Sequence, residues 1–305
     1  MRNNFINQLT EEAKGNDKIF LIVGDLGYSV VEEFRDSFPK RFLNIGIAEQ
    51  NMIGVASGLA SEGYCVYVYS IGNFPTLRCL EQIRYNVCYH NNNVKIVSVG
   101  AGYSYAALGA SHHATEDIGI LRTLPNLKIL SPSDPIESKY LTKFSVNNYG
   151  PTYLRLGKTG EQNISMHINK NYVLGQINCI IQSNSKTAVF STGSISSYAF
   201  NYIKENNINS SLYTFPFLNN IDEEALSNLM MKYEKIITIE EHQLNCGFGS
   251  VMLEYKNKFE LTNNSFKNLT IERKGIPNIF LSFAGSQKYF REQANLILNK
   301  NDFKF

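Results

Sequence analysis

The chain has 305 residues, 43% hydrophobic and 18% charged, with a net charge of +2. That is enough chain for two domains with buried cores, at roughly 100–200 residues each, and no basic block marks it as a nucleic-acid binder. The longest apolar runs, such as Ile19–Val23 and Val94–Val99, fall far short of the ~18–20 residues a bilayer span needs. The start, Met1-Arg-Asn-Asn-Phe5, has no apolar signal core, and five cysteines without a Cys-x-x-Cys indicate neither a disulfide framework nor a zinc site. A cytoplasmic α/β protein is expected, with the cysteines packed as small hydrophobes.

In chain order, strands are predicted at Lys18–Val23, Tyr64–Ser70, Asn93–Val99, Leu127–Ser131 and Thr152–Leu156. Between them Ala48–Glu62 reads as a helix, with Met52, Val55, Ala56 and Leu59 inward and Gly63 as its stop. Leu77, Leu80, Ile83 and Val87 form a second helical stripe. From Gly157 to Gln176 the pattern weakens into a polar stretch. Alternation resumes with strands Thr187–Ser191, Ser211–Phe215, Lys235–Ile239 and Leu269–Ile271. The intervening helices are Ser196–Glu205, Asp222–Lys232 and Gly247–Tyr255, and a last one spans Ser286–Leu298. Such alternation predicts two doubly wound, parallel-sheet α/β domains, 1–160 and 177–305, joined by a linker, 161–176.

The usual phosphate loops, the Gly-x-Ser-x-Gly elbow and His-Glu-x-x-His are absent. The informative stretch is Arg41-Phe-Leu-Asn-Ile-Gly-Ile-Ala-Glu-Gln-Asn-Met52, which sets Glu49 at a helix start among apolar neighbours. By itself this is compatible with a first-turn glutamate favoured by the helix dipole. Further along come Gly58-Leu-Ala-Ser-Glu-Gly63, Glu81-Gln-Ile-Arg84, Gly109-Ala-Ser-His112, Pro132-Ser-Asp134, Gly150-Pro-Thr152, Glu240-Glu-His242 and Gly247-Phe-Gly-Ser250. In that order, over almost the whole chain, these strings resemble the transketolase family of thiamine-diphosphate enzymes, which includes 1-deoxyxylulose-5-phosphate synthase.

The resemblance implies a role for each matching residue. Glu49 takes the place of the glutamate that hydrogen-bonds the cofactor's aminopyrimidine. A partly desolvated carboxyl can share a proton with a weakly basic ring nitrogen. Phe74 takes the place of the aromatic on which the ring stacks, with Tyr69 as a second choice; either could instead be core. Ile71 fills a position often aromatic in the family. Asp25, after the first strand, matches an acid near the cofactor or caps its own loop, and Ser29 matches a phosphate contact of some relatives. His112 matches the active-site histidine. His113, Arg155 and Lys158 are further candidates for an anionic substrate, or surface groups.

Two departures stand out. Leu108 replaces an acid that would hold substrate hydroxyls, and Gly100 stands near where transketolases carry a histidine. The resulting pocket is less polar, which suggests a modified or deoxy sugar, or a short 2-oxo acid, as donor. The family's Gly-Asp-Gly…Asn signature for the diphosphate and its Mg²⁺ is missing, because the only Gly-Asp, Gly24-Asp25, continues into Leu26. The chain is therefore expected to be the C-terminal subunit of a split transketolase. An N-terminal diphosphate-binding subunit would supply the metal site, in an α₂β₂ assembly. The competing expectations are the β subunit of a 2-oxo acid dehydrogenase and a non-catalytic scaffolding subunit.

Overall fold

The structure, a computed structural model, describes residues 1–304. Its first unit runs α1 (Arg2–Gly15), β1 (Ile19–Val23), α2 (Glu32–Ser37), β2 (Phe42–Asn44), α3 (Glu49–Ser61) and β3 (Cys65–Ile71). It continues through α4 (Leu80–Gln82), β4 (Val94–Val99), α5 (Asp117–Leu121), β5 (Lys128–Leu130), α6 (Pro135–Asn147) and β6 (Thr152–Leu156). The sheet order is β2-β1-β3-β4-β6-β5, parallel at every pairing. Every residue of β4 and β6 is buried, as strands covered by helices on both faces require.

The second unit comprises β7 (Asn178–Ile181), β8 (Thr187–Ser191), α7 (Ile195–Glu205), β9 (Ser211–Thr214), α8 (Glu223–Met230), β10 (Lys235–Gln243), α9 (Phe248–Glu260), β11 (Thr270–Ile276) and α10 (Gln287–Gln293). Its order is β11-β10-β8-β9-β7, parallel except for β7, which pairs antiparallel with β9. This edge strand follows the polar stretch directly, without the crossover helix that a parallel neighbour would need.

Several elements differ from the sequence expectations. The stripe at Leu77–Val87 buries Ile83 and Val87 as expected, but not on one α-helix. A 3₁₀ turn over Leu77–Cys79 and α4 lead into a π-helical segment, Ile83–Tyr89. The last helix ends at Gln293, and Asn295 then takes a positive φ of 55°. The polar stretch 161–176 is not free of the first unit. Asp134 Oδ2 accepts hydrogen bonds from the Ile164 and Ser165 N–H groups at 2.7 and 2.6 Å. Cys65, Cys79 and Cys88 are buried, but Cys179 and Cys246 are exposed rather than packed as small hydrophobes.

A buried ionic junction ties the two units together. Arg155, at the end of β6, donates from Nε to Asp117 Oδ2 at 2.7 Å and from Nη2 to the Ala114 and Glu241 carbonyls at 2.7 and 3.0 Å. Tyr153 donates its hydroxyl to the same Asp117 oxygen at 2.6 Å. Burial, the largest single influence, would raise the Asp117 pKa, but Arg155, His242 and the Tyr153 hydroxyl together outweigh it and hold the carboxyl below its ordinary value. Glu241, from β10, pairs in turn with Arg291 at 2.9 Å.

Candidate active site

In the first sheet the chain steps from β1 outward to β2, then crosses back over β1 to β3. The reversal opens a crevice at the C-terminal ends of β1 and β3, where open α/β sheets bind ligands. Glu49 is delivered there as the first residue of α3, and only 3% of it is exposed. Gly24, just after β1, lies against it: a Cβ on Gly24 would sit 3.7 Å from Glu49 Cγ and 3.8 Å from Ser70 Oγ. Ser70 Oγ, at the end of β3, is buried without a hydrogen-bond partner.

Phe74 stands on the turn that follows β3. The Arg78 guanidinium lies 4.5 Å over its ring and donates from Nη1 to Glu49 Oε2 at 2.9 Å. Phe74 also meets the His112 ring edge-on, with centroids 5.3 Å apart. His112 is half-buried, with Nδ1 3.0 Å from Ser111 Oγ. The turn and the histidine loop fit because residue 72 is glycine: its φ is +53°, and a Cβ would come within 2.9 Å of the His112 carbonyl oxygen. Thus Glu49, Phe74 and His112 gather at one crevice, joined by Arg78. The carboxylate meets a cation there and not the wholly apolar surroundings the sequence suggested. Arg78 was not foreseen; its signal was weak, a lone cation in the stretch between Arg41 and Arg84.

Asp25 is exposed at the same mouth, clipped to Asn44 by two 3.0 Å hydrogen bonds, one from its own N–H and one to its Oδ1. Ser29 lies further along that loop, donating its N–H to Glu32 Oε1 at 2.8 Å and lining a recess with Asn3 and Asn7 of α1.

Four other candidates stand apart from the crevice. Tyr69 is sealed in the core, stacked on Phe5 of α1 at 6.1 Å, so its ring offers no free face to a ligand. His113 is buried, edge-on to Tyr103 and Phe290 at 5.1 and 5.0 Å. Burial pushes its pKa down, and its Nε2 has no partner. Arg155 is enclosed in the ionic junction, only 2% exposed, and its guanidinium faces protein rather than an incoming anion. Lys158 is exposed. Its Nζ lies 5.1 Å over the Tyr105 ring, at the rim of a cleft of about 640 Å³ between the two units.

The two departures also have a structural context. Leu108 is 54% exposed on a 3₁₀ turn. Gly100 has φ +108°, and a Cβ there would collide with Tyr105 Cδ2. Tyr105 therefore occupies the space a side chain at 100 would need. Among the described residues, no three His, Cys, Asp or Glu side chains cluster as a metal site, and no helix is long and apolar enough to cross a membrane.

A parallel α/β unit followed by a second, parallel-dominated α/β unit is the architecture of a transketolase-type chain. Residues 1–160 match the family described as transketolase, pyrimidine binding domain, and residues 176–283 match transketolase, C-terminal domain. The chain is 32% identical to one of the subunits of the apulose-4-phosphate transketolase of Actinobacillus succinogenes, over 91% of this chain and 88% of that one. It is 28% identical to the 6-deoxy-6-sulfo-D-fructose transketolase subunit SqwH of a Clostridium species, over 83% of this chain and 80% of that one. A solved structure described as a split gene transketolase, inactive beta4 tetramer, superimposes with a TM-score of 0.82 at 27% identity, covering 99% of this chain and 94% of that one. The chain belongs to the transketolase family, whose enzymes transfer ketol units with thiamine diphosphate.

Proposed function

We propose that this chain is the pyrimidine-binding subunit of a two-component transketolase, with Glu49 as the group that activates the cofactor. The observation that carries the reading is the buried Glu49 carboxylate sharing one crevice with Phe74, both in contact with Arg78. The orphaned Ser70 hydroxyl, and Gly24 lying flat beside the carboxylate, suit a flat heteroaromatic ring bearing hydrogen-bonding groups. When bound, thiamine diphosphate would supply the nucleophilic carbon and electron sink for cleaving the bond beside a ketose carbonyl. Glu49 holds a proton at its carboxylate against the ring nitrogen, and Phe74 orients that ring by stacking. His112, one ring away, hydrogen-bonds a substrate hydroxyl or relays its proton.

The diphosphate and its Mg²⁺ are assigned to a separate N-terminal subunit, in an α₂β₂ assembly. The missing Gly-Asp-Gly signature supports this, as does the similar split-gene transketolase, whose β4 tetramer is inactive. Asp25, at the crevice mouth, faces the cofactor side. Lys158 is the cation free to meet an anionic substrate, and Ser29 is a more peripheral contact. The subunits act in the cytoplasm. The donor is a modified or deoxy sugar, or a short 2-oxo acid, because Leu108 and Gly100 remove two polar contacts. The modified sugars named for both similar subunits support the sugar class.

The test is co-expression with the partner subunit, followed by a donor screen with thiamine diphosphate and Mg²⁺. Glu49→Ala should abolish turnover in a folded complex; near-normal turnover would overturn the assignment of Glu49. Xylulose 5-phosphate as best donor would overturn the substrate reading.

A further inference from the structure

We infer that Arg78 is a place-holder for the cofactor's aminopyrimidine: its guanidinium makes the two contacts the ring would make, and cofactor binding displaces it. The inference rests on the reading that Glu49 and Phe74 hold that ring. Nη1 of Arg78 donates to Glu49 Oε2 at 2.9 Å, and the guanidinium lies 4.5 Å over the Phe74 face. A guanidinium is planar, delocalised and rich in N–H donors, so it can satisfy a carboxylate and an aromatic face together. A protonated aminopyrimidine has the same attributes. One flat group cannot share the Phe74 face with another.

Arg78 is also placed to leave. Its side chain is 47% exposed, whereas the carboxylate it pairs with is 3% exposed. Its anchor is the backbone: Arg78 N–H donates to the Asn73 carbonyl at 3.3 Å, and its own carbonyl accepts from Gln50 Nε2 at 3.0 Å. The side chain can swing out without unfolding the 3₁₀ turn at Leu77–Cys79 that carries it. A buried carboxylate with neither ring nor cation against it would be unfavourable. The guanidinium removes that penalty and, in exchange, competes with the cofactor.

The experiment is calorimetric titration of thiamine diphosphate, with Mg²⁺, into the complex of this chain and its partner subunit. Wild type is compared with Arg78→Ala, Arg78→Lys, Glu49→Ala and Phe74→Ala. The Glu49 and Phe74 variants should bind more weakly. Arg78→Ala should bind about three- to tenfold more tightly, since the ion pair and the cation–π contact of a half-exposed arginine no longer compete with the ring. Arg78→Lys, which keeps the charge but cannot lie flat on the ring, should fall between Arg78→Ala and wild type. Weakened or unchanged binding in both Arg78 variants, with Glu49→Ala and Phe74→Ala weakened, would overturn the place-holder while leaving the site intact. Unchanged binding in Glu49→Ala and Phe74→Ala would instead overturn the reading of the site.

Discussion

Two acid–arginine pairs occupy very different surroundings. Asp117–Arg155 and Glu49–Arg78 have similar N···O distances, 2.7 and 2.9 Å, and both acids are buried. The difference lies in the cations. Arg155 is 2% exposed and bonds two backbone carbonyls besides its carboxylate, so it locks the two units together. Arg78 is 47% exposed and shares its guanidinium only with a carboxylate and a ring face. A pair closed on all sides behaves as structure. A pair open on one side, at the mouth of a parallel sheet, is available for exchange with a ligand. The functional reading therefore turns on the surroundings of each pair rather than on its geometry.

The comparison can be broken most severely at Glu49. Glu49→Gln should lower turnover about 10²–10⁴-fold while the urea midpoint stays near wild type. A large loss of stability with retained turnover would make this pair the structural one. At the junction, Asp117→Ala leaves Arg155 buried and unpaired and should destabilise the fold by about 3–5 kcal/mol in urea unfolding. If it left stability unchanged and raised the KM for donor, Arg155 would be a substrate ligand after all.

Gly100→Ala sharpens the contrast between a missing contact and a filled space. The Cβ would drive into Tyr105 from a left-handed backbone, so a loss of about 1–3 kcal/mol is expected in thermal or urea unfolding. No loss would mean that the polar contact was lost without a compensating ring. The smallest effect concerns pH. Burial raises the Glu240 carboxyl from 4.5 to about 7, even though it accepts the Phe248 and Gly249 N–H groups at the start of α9. A raised acid favours the folded state most at low pH. Its contribution should fall as pH rises from about 4.5 to about 7 and level off above that. Melting temperatures across that range should lose this slope in Glu240→Gln; an unaltered slope would assign it to other groups.

Much of this was legible in the sequence because parallel strands are short apolar runs. Thr152–Leu156 and Thr187–Ser191 fall where the pattern puts them. The helix over Ala48–Glu62 is off by one residue at either end. Periodicity revealed the buried face of Leu77–Val87 but not its winding, since 3₁₀, α and π turns bury nearly the same residues. The strings around Glu49, Phe74 and His112 pointed to these residues through their family resemblance, and the structure brings the three to one crevice. His113 and Arg155 read as contacts because nothing in their local sequence says that the second unit will cover them. The lone Arg78 carried no pattern at all.

Ile47, two residues before Glu49, is 78% exposed, and Tyr28, on the loop after β1, is 75% exposed. Under the proposed assembly these side chains await a neighbouring chain. A subunit made in excess of its partner would keep that apolar rim wet and turn to copies of itself. Balanced synthesis of the two chains would then protect solubility as well as activity, and purification from a strain making both is the practical corollary.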